Sequence, residues 1–516
     1  MPINPTYPGV YIEELENPVK TIVGVSTSVT AFVGRALQGP LNDPVLIHNF
    51  GEFESIFGGL WKKSTMSYSV RQYFLNGGRD AVIVRVFNGD DDAAKTRFTN
   101  GGTTLKFEAK NPGKWANKLK VVIDSDVVNE DDNDPASLFH IKLPDENDIE
   151  LETFLNVSHK PGHKRYVVTV LDEESDLIQV DEDTLSALSA KPPDGNYVSD
   201  NKGSNGPDLV DTDIVPASSL GKKGIYALDN TDIFNLLCIP PPDPAGTTNL
   251  SFYSGVYAPA AAYCRDKRAM LIMDPPSKWE SPEDPVKDDI GIDAPGSGIS
   301  RHENAVIYFP RIKAPDPLEE NRAKFFPPSG AIAGIIARTD AQRGVWKAPA
   351  GTETSLTGII DLDVKMTDEE NGILNQKAVN CLRILPTGKV VWGARTLKGE
   401  DTRGSQWKYL PVRRMALYIE ETLYRNTNWV VFEPNDEPLW SQIRLNIGAF
   451  MHDLFTKGAF QGSTPKEAYL VKCDKETTTQ YDIDRGIVNI LVGFAPLKPA
   501  EFVIIKIQQL AGQMEG

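Results

Sequence analysis

The chain has 516 residues, of which 40% are hydrophobic and 24% are charged, as in a folded protein of several domains and not a disordered one. Its net charge of −17, without a run of Lys or Arg, argues against a nucleic-acid surface and against an anionic membrane surface. The cysteines Cys238, Cys264, Cys381 and Cys473 lack the spacing of a zinc site or a disulfide framework and indicate buried thiols in a reducing cytosol.

Residues 1–20 begin with MPINPTYPGVYIEE, which predicts an arm. Its VYI stretch favours a strand and follows the turn-forming pair Pro8-Gly9, but no adjacent strand completes a hairpin. The arm is therefore either disordered or paired with a distant segment or another molecule. It has no basic segment followed by an apolar run, so we expect no signal peptide and assembly in the cytoplasm. The longest apolar stretch, near GIVNILVGFAPL, is too short to span a bilayer.

Residues 21–89 predict an α/β layer. AFVG reads as a buried strand, and Phe50, Phe53 and Phe57 share one face of a short helix. A second helix through TMSYSVRQYFLNGG ends at its Asn-Gly-Gly stop, and the strand DAVIVRV follows.

Residues 90–215 predict a β-rich insertion on the surface. LKVVID, FHIKLP, RYVVTVLD and DLIQV are short strands between the acidic loops NEDDNDP and PDENDIE. His159 and His163 are four residues apart, but Pro161-Gly162 prevents the helix that would align them as metal ligands. Neither acidic loop has EF-hand spacing, which favours solvated loops and no metal.

Residues 216–395 predict a second α/β layer. NLLCIPPP, AMLIMDPP and AVIYFPRI are apolar strands, which indicates parallel pairing buried on both faces. YSGVYAPAAAYCRDK is helical in its later part, and the small residues of GAIAGIIARTDAQRG predict a closely packed helix. No phosphate-binding glycine motif follows any of these strands, so we expect no cofactor.

Residues 396–516 predict two amphipathic helices and several strands. In LPVRRMALYIEETLYRN an apolar stripe runs through Met415 and Ile419, while Arg413 and Arg414 lie off it. WVVFEP predicts a strand, PLWSQIRLNIGAFMHDLFTKG a helix and AYLVKCD a strand. The end predicts a hairpin with arms at 487–494 and 501–508, and the second arm is apolar on both faces, as in a strand covered on both sides or by another chain.

Several of these stretches resemble contractile tail sheath proteins of phages, phage-tail-like bacteriocins and extracellular contractile injection systems. They are YPGVYIEE, PVLIHNFGEFESIFGG, YFLNGGRDAVIVRV, RGSQWKYLPVRRMALYIEETLYRNTNWVVFEPND and VGFAPLKPAEFVIIKI, in the order of the family. The resemblance covers about 1–90 and 215–516. It implies a multidomain mixed α/β (α+β) fold with extended N- and C-terminal arms. An inner α/β domain built from both chain ends (21–89 and 396–516) would accompany a middle α/β domain (216–395) and an outer β-rich insertion (90–215).

The resemblance also implies that the two arms add strands to sheets of neighbouring subunits. The N-terminal arm would use Tyr7, Pro8, Gly9, Val10, Tyr11, Ile12 and Glu13. The receiving sheet and the C-terminal arm would use Ile487, Val488, Ile490, Val492, Phe502, Val503, Ile504, Ile505 and Ile507. Arg413 and Arg414 would contact an inner tube, with a solvated helix face as the alternative.

The function implied is mechanical: hexameric rings stack around an inner tube and contract from a metastable extended state. The partners implied are further copies of the chain, the tube protein, and baseplate and tail-terminator or cap proteins, with no nucleic acid and no membrane insertion. Such a particle, a phage tail or a phage-tail-like particle, would be released by lysis. Two alternatives stay open: an enzyme or ligand-binding protein using the middle α/β layer, whose strand ends offer Asp274, and a monomeric adhesin using the insertion.

Overall fold

The structure, a computed structural model, describes residues 20–92, 94–101, 103–127, 134–242 and 252–506. The chain divides into two compact units. The main unit comprises Ser28–Gln342 and Pro349–Lys408, and the C-terminal unit comprises the described residues of Met1–Thr27, Arg343–Ala348 and Tyr409–Gly516.

The strands in chain order are β1 (Thr30–Gly34), β2 (Val45–Ile47), β3 (Ala81–Arg85), β4 (Arg97–Thr99), β5 (Lys106–Ala109), β6 (Lys120–Asp124), β7 (Leu138–Pro144), β8 (Glu150–Ser158), β9 (Ile178–Val180), β10 (Gly195–Ser199), β11 (Leu236–Cys238), β12 (Met270–Met273), β13 (Ala305–Phe309), β14 (Ile312–Asp316), β15 (Arg322–Phe326), β16 (Asp361–Leu362), β17 (Asn380–Leu385), β18 (Gly388–Val391), β19 (Tyr469–Lys472) and β20 (Leu491–Phe494). The α-helices are α1 (Phe50–Phe57), α2 (Thr65–Leu75), α3 (Val167–Glu174), α4 (Asp211–Ile214), α5 (Ala258–Asp266), α6 (Ser329–Arg343), α7 (Asp368–Gln376), α8 (Leu410–Asn426), α9 (Glu437–Thr456), α10 (Pro465–Ala468) and α11 (Gln480–Asp484).

An eight-stranded sheet forms the centre of the main unit, in the order β18-β17-β13-β12-β11-β1-β3-β2. Its central strands are parallel, and β18 and β2 are antiparallel edges. Every residue of β1, β3, β11, β12 and β13 is buried, because these strands are apolar on both faces. The predicted strands AFVG, NLLCIPPP, AMLIMDPP and AVIYFPRI are therefore confirmed as strands, and the structure places them side by side in one sheet.

The expected inner domain built from both chain ends is wrong for residues 28–89. Thr30 and Phe32 of β1 pair in register with Leu236 and Cys238 of β11, which places this stretch in the main unit. Of the N-terminal region, only the segment up to Thr27 groups with the C-terminal unit. The pairing of β1 with β11 thus joins the two α/β layers, which were predicted separately, into one layer. The sequence did not reveal this pairing because the two strands are distant along the chain.

Helix α6 packs against α2 through two glycines, as its small residues predict. A Cβ added at Gly330 would lie 2.1 Å from the Ser69 carbonyl oxygen, and one at Gly334 would lie 2.4 Å from the Tyr73 carbonyl oxygen. The two helix backbones therefore approach so closely that only glycine fits at both positions.

The predicted insertion is a seven-stranded antiparallel sheet in the order β8-β7-β6-β10-β4-β5-β9, with its own apolar core. The strand expected at RYVVTVLD is wrong: residues 167–174 form α3, which buries Val167, Val170 and Leu171 at helical spacing. The chain leaves for the insertion and returns at one place, where Asn88 Nδ2 donates to the Asp208 carbonyl oxygen at 2.6 Å. The buried Arg85 guanidinium ties the insertion to the sheet by donating to carbonyls that include those of Gly39 and Pro112.

The C-terminal unit packs α8 and α9 with a small antiparallel sheet of β19 and β20 around one apolar core. The strand expected at WVVFEP is wrong, because Asn428–Val430 form one 3₁₀ turn followed by a tight turn. The expected hairpin of 487–494 with 501–508 is also wrong: Leu491–Phe494 pair with Tyr469–Lys472, and residues 501–506 form no strand. Among the described residues, no helix is both long and apolar enough to cross a bilayer.

Candidate functional site

The segment before Thr27 runs along helix α8, held by side chains of the helix. The Arg414 guanidinium donates to the Thr27 carbonyl oxygen at 2.8 Å, and the Asn426 amide donates to the Val23 carbonyl oxygen at 3.0 Å. The Lys20 backbone N–H then donates to Asn446 Oδ1 of α9 at 2.9 Å. These hydrogen bonds hold the segment from Lys20 to Thr27 against α8 and α9 within the C-terminal unit.

Arg413 and Arg414 are buried, so the prediction that they lie on an exposed polar face is wrong. They are 7% and 3% exposed. Arg414 bonds the passing N-terminal segment, and Arg413 Nη1 lies 3.6 Å from Glu420 Oε1. Their burial leaves little surface for the tube contact, which stays a prediction.

The sheet of β19 and β20 has an inner and an outer face. Val471 and Val492 are paired and pack against the core of the C-terminal unit. Leu470 and Leu491 alternate with them and are 51% and 52% exposed. Within the described residues, no third strand pairs with either edge. A two-stranded sheet is marginal in water, so this one depends on its inner face and has backbone groups available for another strand.

Four consecutive apolar residues beyond this sheet are exposed. Phe502, Val503, Ile504 and Ile505 are 75%, 81%, 81% and 78% exposed. They follow Glu501, whose carboxylate accepts a hydrogen bond from the Tyr409 hydroxyl at 3.3 Å. Exposing so contiguous an apolar run is unfavourable in an isolated chain and is typical of a surface that binds a partner. We call residues 502–505 the apolar arm.

The remaining predicted residues are divided between the core and the ends of the chain. Ile487, Val488, Ile490 and Val492 are half-buried, and the last three pack on the core of the C-terminal unit. Ile507 and the N-terminal residues Tyr7, Pro8, Gly9, Val10, Tyr11, Ile12 and Glu13 lie outside the described residues. Of the predicted sheet residues, only Val492 lies in a strand, because β20 begins at Leu491 and residues 487–490 lead into it. The predicted arm residues 502–505 are exposed.

Sequence reasoning missed one exposed feature, the turn at Val431 and Phe432. The two side chains are 60% and 103% exposed, and Phe432 has a positive φ of 70°. The run WVVFEP suggested a strand. The signal against it was its final Pro434 with the Asn435-Asp436 that follow, which are typical of a loop leading to a helix N-terminus.

The enzyme hypothesis places a ligand at strand ends such as that of AMLIMDPP, and in the observed sheet the strand order reverses between β1 and β11, so the crevice at their carboxyl ends is the position to compare. Its polar side chains bond the protein itself. The hydroxyls of Ser64 and Thr65 donate to the carbonyls of Arg35 and Pro241, and the Arg35 guanidinium donates to the Asp208 carboxylate at 2.7 Å. These groups stabilise the loops around the crevice.

Asp274, the strand-end residue of that hypothesis, caps a helix. The backbone N–H and the hydroxyl of Ser329 each donate to its carboxylate at 2.8 Å, at the start of α6. Burial raises the pKa of Asp274 to about 7, although the hydrogen bonds from Ser329 act to lower it. The carboxylate is 1% exposed, so it faces the interior of the fold.

The residues considered as metal ligands or reactive thiols have structural surroundings. His159 Nδ1 lies 3.2 Å from the Ser137 carbonyl oxygen, and His163 Nδ1 accepts from the Arg165 N–H at 3.1 Å. In the part of the chain that the structure describes, no group of three or more His, Cys, Asp or Glu residues is arranged to hold a metal. All four cysteines are buried, and burial raises the pKa of the Cys381 thiol to about 12.

Two family models match consecutive parts of the chain. Residues 301–397 match the phage tail sheath protein central domain, and residues 402–509 match the phage tail sheath C-terminal domain. Each of these two stretches is therefore similar to a domain of tail sheath proteins. The second of them contains the β19–β20 sheet, the Phe432 turn and the apolar arm.

The chain is also similar to curated tail sheath proteins over part of its length. It is 26% identical over 186 residues to a protein named as a prophage major tail sheath protein of Pseudomonas aeruginosa strain UCBPP-PA14, covering 35% of this chain and 45% of that one. It is 25% identical over 182 residues to the tail sheath protein of Enterobacteria phage T4, covering 35% of this chain and 26% of that one. The matched region thus spans less than half the length of these relatives.

Solved structures share the fold over nearly the whole chain. The sheath complex of the extracellular contractile injection system PVC, in its contracted state, is 22% identical with a TM-score of 0.57, covering 99% of each chain. The contracted helical sheath of the anti-feeding prophage is 24% identical with a TM-score of 0.58, covering 98% of this chain and 99% of that one. A sheath tail protein from Listeria innocua is 13% identical with a TM-score of 0.60, covering 93% and 96%.

Proposed function

We propose that this chain is the structural subunit of a contractile tail sheath. The observation that carries the proposal is the pair of tail sheath domain matches, central then C-terminal, over residues 301–397 and 402–509. The subunits would polymerise as stacked hexameric rings around an inner tube, within a phage tail or a phage-tail-like particle. Contraction from a metastable extended state would then drive the tube through a target envelope.

Strand exchange between subunits is the joint that we propose for this lattice. The β19–β20 sheet supports it, because its edges keep backbone donors and acceptors for a further strand and its outer leucines offer apolar contact. The apolar arm also supports strand exchange, because its four exposed side chains would be buried if they covered such a sheet. The N-terminal residues from Tyr7 to Glu13 would supply the second exchanged strand.

The proposed contraction needs no chemical reaction. Free energy would come from contacts that are better in the contracted lattice, so that each subunit changes position between two packings while its joints persist. The two compact units of the chain would move as bodies with their internal cores unchanged. The partners would be the tube protein and the baseplate and terminator or cap proteins, assembled in the cytoplasm and released by lysis.

Electron microscopy of the full-length chain, alone and co-expressed with its genomic neighbours, tests the proposal. We expect hollow cylinders from the chain alone and longer, thinner cylinders around a tube when the neighbours are present. Small uniform particles in both preparations would refute the sheath function.

Two variants test the exchange joint separately from the fold. Deleting residues 1–14 should leave a folded subunit that builds no extended, contractible sheath. Ile504→Asp should do the same, because a carboxylate cannot be buried against a neighbouring sheet without a partner. Leu220→Asp is the matched control, since Leu220 is 93% exposed in the main unit and its change should leave assembly intact. Normal sheaths from Ile504→Asp would remove the arm from the joint.

A further inference from the structure

Phe432 occupies a turn position at which glycine is the usual residue. The Glu433 N–H donates to the Val430 carbonyl oxygen at 3.2 Å and closes a four-residue turn. Val431 has φ −68° and ψ 130°, and Phe432 has φ 70°, the pattern of a type II turn. The third position of that turn disfavours a side chain, because a Cβ crowds the backbone when φ is positive.

The strain at Phe432 has no packing benefit within its own subunit. The Phe432 side chain is 103% exposed, so it contacts no core. Bulky residues kept in strained, exposed positions are typical of functional surfaces, where the conformation presents the side chain to a partner. Val431 beside it is 60% exposed, so the two residues together present an apolar knob.

The turn lies beside the chain that leads into β20. Asn435 Nδ2 donates to the Ile487 carbonyl oxygen at 3.0 Å, four residues before Leu491 begins the strand. Trp429 and Val430 pack on the same core as Val488 and Ile490. A strand added along β20 and continued towards residue 487 would therefore run past the apolar knob.

The apolar arm has the length, character and charge to be that strand. Its four residues match the four residues of β20, and each stretch spans about 13 Å when extended. The arm is followed by the exposed Lys506, and the knob is followed by the exposed Glu433, so the flanking charges are of opposite sign. A second copy of the chain thus offers an apolar segment with a complementary flanking charge.

We propose that Val431 and Phe432 form a clasp that packs on the apolar arm of a second copy of this chain and holds it on β20. This inference rests on the proposed strand exchange and adds a residue that positions the exchanged strand. The clasp explains why the turn keeps phenylalanine: the ring gains burial in the assembled lattice, and its strained backbone directs it away from its own core.

Phe432→Gly separates this role from a structural one, because the two roles predict different results. Glycine relieves the positive φ, so the melting temperature of the unassembled subunit should stay the same or rise. The subunit concentration needed to form sedimentable cylinders should increase about 30-fold, as expected from losing one buried Phe contact. Phe432→Tyr keeps the ring and is the matched control, with assembly close to that of the unchanged protein.

The outcomes distinguish the clasp from the sheath proposal. If the unchanged protein forms no cylinders, the proposed function itself fails. If it forms cylinders and Phe432→Gly assembles at the same concentration as Phe432→Tyr, the clasp is refuted while the sheath function stands.

A cysteine pair tests which segment occupies the clasp. Phe432→Cys combined with Ile504→Cys should give a ladder of covalently linked oligomers when assembled cylinders are mildly oxidised. The four native cysteines are buried and give little background. Each single variant should give no ladder. Intact cylinders from the double variant that form no link, or only an intramolecular one, would refute the arm of a second copy as the occupant.

Discussion

The buried carboxylate of Asp274 makes the stability of the main unit depend on pH, and Asp274→Asn should remove that dependence. Asparagine keeps an oxygen that can accept from the Ser329 N–H, at present 2.8 Å from the carboxylate, and it cannot ionise. The substitution therefore keeps the cap at the start of α6 while it removes the charge that burial disfavours.

The expected size follows from the pKa of Asp274, about 7 in the folded protein against an ordinary value of 3.8. Since the folded state binds this proton more tightly, its contribution to stability is fully present below pH 3.8 and is lost as the pH rises through 7. A difference of about three units corresponds to roughly 4 kcal/mol, changing by about 1.4 kcal/mol per pH unit. The free energy of unfolding of D274N, minus that of the unchanged protein, should therefore rise by about 3 kcal/mol between pH 5 and pH 8, because the rest of the difference lies below pH 5.

Urea unfolding of the full-length chain at pH 5, 6, 7 and 8, followed by circular dichroism, measures this difference. Asp229→Asn is the control. Burial acts to raise the pKa of Asp229, but its hydrogen bonds with Tyr263 and Lys267 lower it overall. The D229N variant should thus lose stability by a constant amount over this range. If the D274N curve runs parallel to that of the unchanged protein from pH 5 to 8, Asp274 does not titrate there and the reasoning is wrong.

Two further substitutions test the packing of each unit. Gly334→Ala should lower the free energy of unfolding by about 2–4 kcal/mol, because its Cβ would lie 2.4 Å from the Tyr73 carbonyl oxygen. Gly448→Ala is the control, because a Cβ there meets nothing within 4 Å. Equal urea midpoints for the two variants would refute the close contact. Arg414→Met should cost about 2 kcal/mol by leaving the Thr27 carbonyl without its donor. It should also raise the protease sensitivity of the segment before Thr27, and an unchanged digestion pattern would contradict that anchoring role.

Local patterns predicted most elements of the main unit, because apolar runs and helical spacing reflect burial directly. They failed where two patterns compete. VVTV at 167–170 is rich in β-branched residues, yet burial at Val167, Val170 and Leu171 makes it a helix. The pairing of β1 with β11 was not visible, because the residues that join these strands are about 200 positions apart and sequence periodicity carries no information on such contacts.

The candidate site was predicted in part. The sheet residues near 492 and the apolar run at 502–505 followed from composition and from the family resemblance, and the structure leaves the role of the arm a prediction. The hairpin between them was wrong because β20 pairs with the earlier strand β19. Arg414 bonds the Thr27 carbonyl oxygen of the segment that lies along α8, a tertiary contact that helix spacing does not reveal. Phe432 was missed because the apolar run around it is typical of a strand, and the sequence does not show that its backbone has a positive φ.

The contact between Asn88 and Asp208 makes the insertion a replaceable cassette. Because its two ends lie within hydrogen-bonding distance, 2.6 Å, a segment of a different length can close the same gap, and the entropy of closing such a loop grows only slowly with its length. Residues 90–215 contain 27 Asp and Glu against 13 Lys and Arg, so most of the net charge of the chain resides there. A replacement segment could therefore change the charge of the insertion, or add a recognition domain, while the strands of the main sheet keep their sequence, provided that it again supplies a carbonyl acceptor for Arg85 in place of that of Pro112.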